Sequence, residues 1–386
     1  MVRSGRPGRR GVVLTVELRS TEVFALTKTL VRYRSYSPAG AQSVMEFIGG
    51  WFEARGFEPM RYPGAGPDGG LTSLAVRIGS GSPHILLHGH ADVVPAEEKQ
   101  FEPYEKGGEL HGRGTYDMKG ALAAMMYALE DLNELGCPAT VDLLVVPDEE
   151  KDYGGPSGAE ILIENGHVGD FIITGEPTDF RIGTQAKGVL DLRITLFGRS
   201  AHGSRPWLGK NAVLLAAEHY RRVTELPFTR ERSELFPYPS INLARIIGGD
   251  VINRVPDRCT YDLDIRYLPE QDPQEIVRQI RSIDLPARVE VLFSREPTYV
   301  SRGNPFVRAL REVVTRHYRA NPVSVGRHGA SDIVYFQRAG VPGVEFGPIG
   351  GGHHGPDEYV VSSSLETYRQ MLVQFVQILG KQPKYP

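Results

Sequence analysis

Side chains of the kinds that bind metal ions follow three apolar segments of this chain. The apolar segments cover residues 85–87, 143–146 and 171–173, and we interpret each as a buried strand. The polar residues that come after them are His88, His90, Asp92, Asp148, Glu149, Glu150 and Glu176. Because open α/β sheets place their sites at the carboxyl ends of the strands, we expect these side chains to converge at one edge of a sheet.

The chemistry that these residues favour is the binding of a divalent cation. Any one of the carboxylates could be an ordinary loop side chain, because Asp and Glu are usually exposed. However, Glu149 and Glu150 are adjacent, and two carboxylates at the end of a buried strand repel each other unless a cation or a proton intervenes. Imidazole and carboxylate ligands suit Zn²⁺ first, with Co²⁺ or Mn²⁺ as alternatives. Cys137 and Cys259 are too few for a thiolate site.

Composition argues against several other classes of function. The chain has 386 residues, 44 basic and 47 acidic side chains and a net charge of -3, without a long run of either sign. We therefore expect neither a nucleic acid nor a membrane as partner. Two cysteines favour a reducing cytoplasm over a disulfide framework. Residues 1–18 are interpreted as a disordered tail or a misplaced start, because their apolar stretch at 12–14 is too short for a signal peptide.

Helices and strands alternate in the part of the chain that carries these side chains. Helical spacing runs from residue 21 to 33, from 41 to 55 and from 118 to 135, and Asp117 directly precedes the third helix. A further apolar segment, 344–346, adds a fourth buried strand. The pattern predicts an α/β domain built on a mostly parallel mixed sheet.

The segment 187–295 has a different pattern. Its alternating strands and amphipathic helices follow the order βαββαβ, which is that of a ferredoxin-like unit. After this segment the chain returns to helical spacing and ends in a helix, for which Ser363 and Glu366 predict a capping box. We therefore predict a discontinuous catalytic domain over 19–186 and 296–386, interrupted by an inserted domain over 187–295.

Five short strings, spread over nearly the whole chain, resemble a known family of metallohydrolases. That family includes acetylornithine deacetylase, succinyl-diaminopimelate desuccinylase, aminoacylase and glutamate carboxypeptidase. The strings are GHADVVP (89–95), GRGTYDMKG (112–120), DEE (148–150), GEPT (175–178) and HGPDE (354–358). The resemblance implies that the amide bond of an N-acyl amino acid is cleaved by a water molecule that bridges two divalent ions.

The resemblance also implies a role for each residue of the predicted site. Asp117 would bridge two divalent ions, with His90 and Glu176 at one ion and Glu150 and His354 at the other. Asp92 would orient the imidazole of His90, as carboxylates beside metal ligands commonly do. Glu149 would be the general base that moves a proton from the attacking water to the leaving nitrogen.

Three alternatives remain open at this point. Glu149 and Glu150 could exchange roles. His88 lies two residues before His90 and could share its face of the strand, so that only the GHADVVP string selects His90. His353 could replace His354 if the loop that carries them is arranged differently.

The inserted domain carries its own resemblance in the string GRSAHGSRPWLGKNAV (198–213). In relatives this is a lid or dimerisation domain, and its histidine, here His202, reaches the partner subunit's site and stabilises the developing oxyanion. A homodimer is therefore expected. Asn253 and Arg266 correspond to residues that hold the substrate's carboxylate, although Arg266 could equally be a solvated strand residue. Gly329 would allow the backbone to approach the substrate closely.

Three functions remain in competition after this reading of the sequence. The first is removal of the acyl group from an N-acyl amino acid, and the second is cleavage of a dipeptide or a carboxy-terminal peptide bond by the same mechanism. The third is a binding protein without metal on this fold, since a fold does not dictate a function. The expected ligand is accordingly a small N-acyl amino acid or a short peptide.

Overall fold

The computed structural model describes residues 9–64, 70–150, 155–318, 324–329 and 331–380, with side chains from residue 19 onward. The chain divides into two compact units. The first comprises Met1–Thr184, Val300–Ser324 and Tyr335–Pro386, and the second comprises Gln185–Tyr299 and Val325–Val334. Of the predicted tail, residues 1–8 lie outside the described residues, and the backbone of 9–18 continues the first helix.

The helices and strands are numbered in chain order. The helices are α1 (Arg9–Val31), α2 (Pro38–Glu53), α3 (Lys119–Leu135), α4 (Gly158–Glu164), α5 (Ala212–Val223), α6 (Pro273–Arg281), α7 (Pro305–Tyr318), α8 (Ile333–Arg338) and α9 (Ser362–Leu379). The strands up to the start of the second unit are β1 (Met60–Pro63), β2 (Thr72–Ile78), β3 (His84–His90), β4 (Tyr104–Lys106), β5 (Glu109–His111), β6 (Thr140–Val146), β7 (Phe171–Thr174) and β8 (Ile182–Ala186). The later strands are β9 (Gly188–Phe197), β10 (Ser240–Gly248), β11 (Arg258–Tyr267), β12 (Ala287–Arg295), β13 (Thr298–Tyr299), β14 (Ser324–Arg327), β15 (Gly343–Glu345), β16 (Gly350–Gly351) and β17 (Tyr359–Val361).

The first unit is built on a mixed sheet with the strand order β1-β2-β6-β3-β7-β15-β8. The neighbours β6, β3, β7 and β15 are parallel, whereas the pairs at either end of this order are antiparallel. The predicted α/β fold with a mixed sheet is therefore confirmed, with its parallel part at the centre. Parallel strands need cover on both faces, and this explains why β3, β6 and β7 appear in the sequence as unbroken apolar segments.

Successive residues of β3 show how the two faces are covered. Ile85 and Leu87 belong to a large core with residues of α1, α2, α3, α7 and α9, while Leu86 belongs to a smaller core with residues of α4 and α8. The small residues Ala121, Ala123 and Ala124 let α3 lie close to the sheet, and all three are fully buried. The carboxyl ends of the central strands are thus held in a rigid, well-packed layer.

The second unit has the predicted order of elements. β9, α5, β10, β11, α6 and β12 form a four-stranded antiparallel sheet with the strand order β10-β11-β9-β12. Its core lies between this sheet and the two helices. Asn211 and Asp272 cap α5 and α6 by accepting backbone N–H groups, as short polar residues do at helix starts. The ferredoxin-like order is therefore confirmed.

The segment Val325–Val334 groups with the second unit, although the sequence analysis placed it in the catalytic domain. Two local contacts explain this grouping. The backbone N–H of Lys187 donates to the carbonyl oxygen of Arg327 at 3.1 Å. Gly326 packs on Phe236 so closely that an added Cβ would lie 2.4 Å from the ring.

The capping box predicted for the last helix is wrong. The N-cap of α9 is Val361, and no side chain caps it. Ser363 lies inside the helix, and Glu366 bonds instead to Arg369 at 2.6 Å and to Gln370 at 2.6 Å. The partners of Glu366 sit three and four residues later on the same helix, where their longer side chains can reach it. Among the described helices, none is long and apolar enough to cross a membrane.

Candidate metal centre

Three predicted ligand segments begin at the carboxyl ends of parallel strands. His90 is the last residue of β3, and Val146 at the end of β6 is its partner in the pairing register. On the other side of β3, His88 pairs with Thr174 at the end of β7, two residues before Glu176. This register brings the chain that follows each strand to the same edge of the sheet. His90 and Glu176 are buried there, with exposed fractions of 0% and 8%.

Asp117 lies between imidazole groups from two parts of the chain. Its Oδ1 is 3.1 Å from Nε2 of His90, and its Oδ2 is 2.5 Å from Nε2 of His353 and 3.1 Å from Nε2 of His354. Two sets of potential ligands result, His90 with Asp117 and Glu176, and Asp117 with His353 and His354. In each set the ligand atoms lie within 4.8 Å of one another. Asp117 is common to both sets.

His354 is distinguished from His353 by a second carboxylate. Nε2 of His354 lies 3.0 Å from Oε1 of Glu150, so this imidazole joins Glu150 to Asp117. His354 has a φ of 57°, in the left-handed region that non-glycine residues rarely adopt. His353 nevertheless stays within reach of Asp117, so the structure keeps both imidazoles at the site. His88 is instead buried beside Phe336, with ring centroids 5.5 Å apart.

The carboxylates of the site raise the pKa of its imidazoles, and the imidazoles lower the pKa of Asp117. Burial lowers the pKa of His90, but hydrogen bonds to Asp117 and Asp92 act in the opposite direction, and the net pKa lies well above its usual value. Hydrogen bonds to Asp117 and Glu150 raise the pKa of His354 to about 10. Burial raises the pKa of Asp117, but three histidine hydrogen bonds lower it to well below the usual range. Acidic oxygens with nearby imidazoles are a setting in which a dication can replace the protons.

Asp92 contacts both His90 and the loop that follows β6. Its carbonyl oxygen lies 3.1 Å from Nδ1 of His90, while its carboxylate oxygen is 3.4 Å from the same nitrogen. The carboxylate accepts the backbone N–H of Glu149 at 3.2 Å and that of Glu150 at 2.9 Å. Asp92 therefore fixes the loop after β6 as well as the imidazole. Asp148 of the same loop accepts the backbone N–H of Gly158 at 3.1 Å, at the start of α4.

Glu358 organises the loop that carries Asp117, a role that was not predicted from the sequence. Glu358 is 1% exposed, and its Oε1 accepts the backbone N–H groups of Gly114, Tyr116 and Asp117 at 2.9, 3.0 and 3.1 Å. Its Oε2 pairs with Arg113 at 2.5 Å. A carboxylate that serves backbone groups leaves no periodic pattern, so its place in the HGPDE string was the only signal for it.

Arg113 connects the same loop to the loop of the two histidines. It donates to Glu358 and, at 3.0 Å, to the carbonyl oxygen of His354. Arg113 is 3% exposed, so its charge depends on Glu358 for compensation. The loops that present Asp117 and His354 are thus held by one buried ion pair.

The remaining predicted residues lie in the second unit. His202 is exposed, and its Nδ1 accepts the backbone N–H of Ser204 at 3.1 Å, which leaves the proton of the neutral ring on Nε2. The backbone N–H of the next residue, Gly203, donates to the carbonyl oxygen of Asn253 at 2.6 Å, so that these two predicted segments are adjacent. Arg266 lies on β11 and donates to Asp264 at 2.7 Å. An added Cβ at Gly329 would meet nothing within 4 Å, so crowding within the chain does not require glycine there.

The residues of the first unit fit a pair of divalent cations. Three carboxylates and the imidazoles converge, and the described part of this cluster includes no lysine or arginine bonded to Asp117 or Glu150. Oxygen and nitrogen donors without sulfur suit Zn²⁺, Co²⁺ or Mn²⁺. One carboxylate shared by two sets of donors would allow two ions to be held side by side.

Comparison with known proteins agrees with this chemistry. The profile of a family described as peptidase family M20/M25/M40 matches residues 86–378. Acetylornithine deacetylase of Proteus mirabilis (strain HI4320) is 30% identical over 360 residues, covering 87% of this chain and 89% of that protein. Succinyl-diaminopimelate desuccinylase of Xylella fastidiosa (strain 9a5c) is 30% identical over 372 residues, covering 90% of this chain and 95% of that protein.

Solved structures with the same fold have lower sequence identity. Aminopeptidase PepT from Bacillus cereus is similar with a TM-score of 0.79 and 19% identity, over 94% of this chain and 99% of that one. Human carnosine dipeptidase 1 has a TM-score of 0.72 and 15% identity, over 98% of this chain and 100% of that one. At these identities the likeness concerns the fold alone.

Proposed function

Because the chain belongs to peptidase family M20/M25/M40, we propose that it removes the acyl group from N-acyl amino acids by hydrolysis of their amide bond. The broader expectation, a metallohydrolase that acts on amide bonds, is confirmed by the family. The observation that carries the proposal is Asp117, which belongs to both sets of potential ligands.

In this proposal the chain supplies two cation sites that share one carboxylate. His90 and Glu176 complete one site, Glu150 and His354 complete the other, and Asp117 belongs to both. Zinc is the first expectation, with cobalt or manganese as alternatives. Two such ions would polarise the scissile carbonyl and lower the pKa of a water molecule.

The side chains carry out the proton transfers. Glu149 is placed by the hydrogen bond from its backbone N–H to Asp92, and it takes the proton of the attacking water and gives it to the leaving nitrogen. His202 offers the N–H of Nε2 to the oxygen that becomes negative in the transition state. Asn253, Arg266 and Gly329 bind the substrate in this scheme.

A deacylase is preferred to a peptidase because of the relatives. The two curated relatives described above, each 30% identical to this chain, are both named as enzymes that remove an acyl group. The peptidases among the solved structures are less than 25% identical and support only the fold. A dipeptidase or carboxypeptidase is the second candidate, since the same centre would serve it. For the deacylase and for the peptidase alike, we propose a small substrate and a cytoplasmic location.

One substrate panel tests this proposal. N-acetyl, N-succinyl and N-formyl amino acids and dipeptides are compared with Zn²⁺, Co²⁺ and Mn²⁺ in turn, and hydrolysis of an N-acyl amino acid with the highest kcat/KM is expected. Preference for dipeptides would overturn the deacylase in favour of the peptidase.

Full turnover after chelation, with no metal left by elemental analysis, would contradict the metal sites. Asp117→Ala should lose both ions, and a variant that keeps both would remove Asp117 from its shared position.

A further inference from the structure

Lys187 is a buried cation without a counterion among the described residues. It follows β8 directly, at the start of the second unit, and its side chain is 2% exposed. Its Nζ lies 5.4 Å from the ring centre of Phe236. Within the described ranges, no hydrogen bond or ion pair to Nζ is present. Burial lowers the pKa of Lys187, and no carboxylate acts in the opposite direction.

Two other buried cations of the described residues are compensated, in contrast to Lys187. Arg113 pairs with Glu358. Lys119 donates to the carbonyl oxygen of Tyr33 at 2.9 Å and is subject to the charges of Asp92 and Glu358. A buried charge without a partner is costly, and an anion bound beside it would offset that cost.

The surroundings of Lys187 provide a second donor and an opening. The Phe236 ring, 1% exposed, also contacts the imidazole of His328, with ring centroids 5.6 Å apart and an interplanar angle of 68°. Burial and the charges of Lys187 and Arg327 lower the pKa of His328, so that this ring is neutral near pH 7 and carries one N–H donor. His328 and Gly329 are exposed, and no residue of the described ranges outside its chain neighbours lies within 4 Å of a Cβ added at Gly329.

We propose that Lys187 and His328, which both contact the ring of Phe236, form a binding site for a carboxylate. One ammonium with one neutral N–H donor matches a planar anion of single charge better than a phosphate dianion, which would need more positive charge. The site would take either the carboxylate of the substrate or that of a separate small carboxylate such as a product. The first source rests on the proposed function, because an N-acyl amino acid carries a free carboxylate.

The test compares the metal-loaded wild type with Lys187→Met, which keeps an apolar stem of similar length and removes the charge. Lys106→Met, at an exposed lysine of β4, is the matched control. The melting temperature is measured with and without acetate and N-acetylglycine. kcat/KM is measured for the best N-acyl amino acid and for its carboxamide. We expect Lys187→Met to be at least as stable as wild type without ligand and to lose most of the stabilisation by carboxylates, while Lys106→Met behaves like wild type.

The kinetic result identifies the source of the carboxylate. A fall in kcat/KM of about 10-fold or more for the acid but not for the carboxamide, as expected for loss of a charged hydrogen bond, assigns the site to the substrate. Unchanged kcat/KM together with lost stabilisation by acetate assigns it to a separate carboxylate. A Lys187→Met protein that is less stable and still responds fully to carboxylates would overturn the site and leave Lys187 with a purely structural contact to Phe236.

A second variant keeps the test decisive if Lys187→Met fails to fold. His328→Leu changes an exposed residue and removes only the second donor, so it should weaken the response to acetate by a few-fold. An unchanged response would contradict the site. If wild type hydrolyses no N-acyl amino acid, the proposed function fails, whereas the melting experiment still decides whether Lys187 binds a carboxylate.

Discussion

Glu149 and Glu150 are adjacent in the sequence, and Asp92 accepts the backbone N–H groups of both. The side chain of Glu150 contacts the imidazole of His354 at 3.0 Å. A ligand must stay beside the other ligands of its cation, so this contact favours Glu150 as the ligand. We therefore propose Glu149 as the base that carries the proton.

Glu149→Ala should therefore keep the metal content of wild type and lose about 10²-fold or more in turnover, because only the proton transfer is removed. Elemental analysis and kcat are measured on the same preparation, with Glu150→Ala as the matched variant. Glu150→Ala should lose one ion. If Glu149→Ala loses an ion and Glu150→Ala does not, the two roles must be exchanged.

At the scale of the element, the loop 112–117 depends on the carboxylate of Glu358, which lies far from it in the sequence. Glu358→Gln keeps the shape of the side chain but leaves the Arg113 charge without its partner. We expect metal affinity to fall about 10-fold to 100-fold, as for other groups that orient ligands, and excess metal to restore part of the activity. Competition with a chelator measures the affinity, and Glu105→Gln at an exposed position is the control. Equal affinity in Glu358→Gln and wild type would show that the loop holds its shape without this charge.

A buried histidine of α5 that contacts β11 should make the stability of the second unit sensitive to acid. His219 is fully buried, and its Nδ1 lies 2.6 Å from the hydroxyl oxygen of Tyr261. Burial, followed by the charge of Arg222, lowers the pKa of His219 to about 4. The folded state therefore favours the neutral ring, and its contribution is complete above the unfolded pKa of about 6.5 and is lost as the pH falls toward 4.

Between pH 7 and pH 5 this loss amounts to about 2 kcal/mol of the free energy of unfolding. His219→Gln keeps a group that can hydrogen-bond to Tyr261 and does not titrate. Urea unfolding at both pH values should show a smaller loss in this variant than in wild type. The same loss in both proteins would mean that other groups cause the acid sensitivity.

The elements show what could be predicted from the sequence and what could not. Apolar segments such as 85–87 and alternating strands such as β9 record burial on two faces or on one, and they predicted the mixed sheet of the first unit and the sheet of the second unit. The small sheet of β4, β5, β16 and β17 has strands of only two or three residues, which are too short to leave such a pattern. The cap of α9 and the role of Glu358 depend on contacts that one stretch of sequence does not contain. The four-residue step from His354 to Glu358 favours His354 over His353, and the contact of His354 with Glu150 agrees with that preference, although His353 also reaches Asp117.

At the scale of the whole molecule, the proposed oxyanion donor belongs to a different unit from the proposed metal centre. His202 lies in the second unit, and the ligands lie in the first. The exposed ring of His202 accepts a hydrogen bond at Nδ1 from the backbone N–H of Ser204, so that Nε2 carries the proton and can act as a donor. We propose, as the family resemblance implies, that the protein is a homodimer in which His202 acts on the partner subunit's substrate.

Mixing two inactive variants tests this arrangement. Glu149→Ala and His202→Ala each lose activity, the latter by about 10²-fold to 10³-fold without loss of metal. If His202 acts across the interface, exchange of subunits creates one intact site in each heterodimer, so an equal mixture should recover activity at about a quarter of all sites. Mixing Glu149→Ala with Asp117→Ala is the control, because both lesions lie in the first unit and every site keeps one of them. Heterodimers that form, as shown by differently tagged subunits, but remain inactive in the first mixture would place His202 in the site of its own chain.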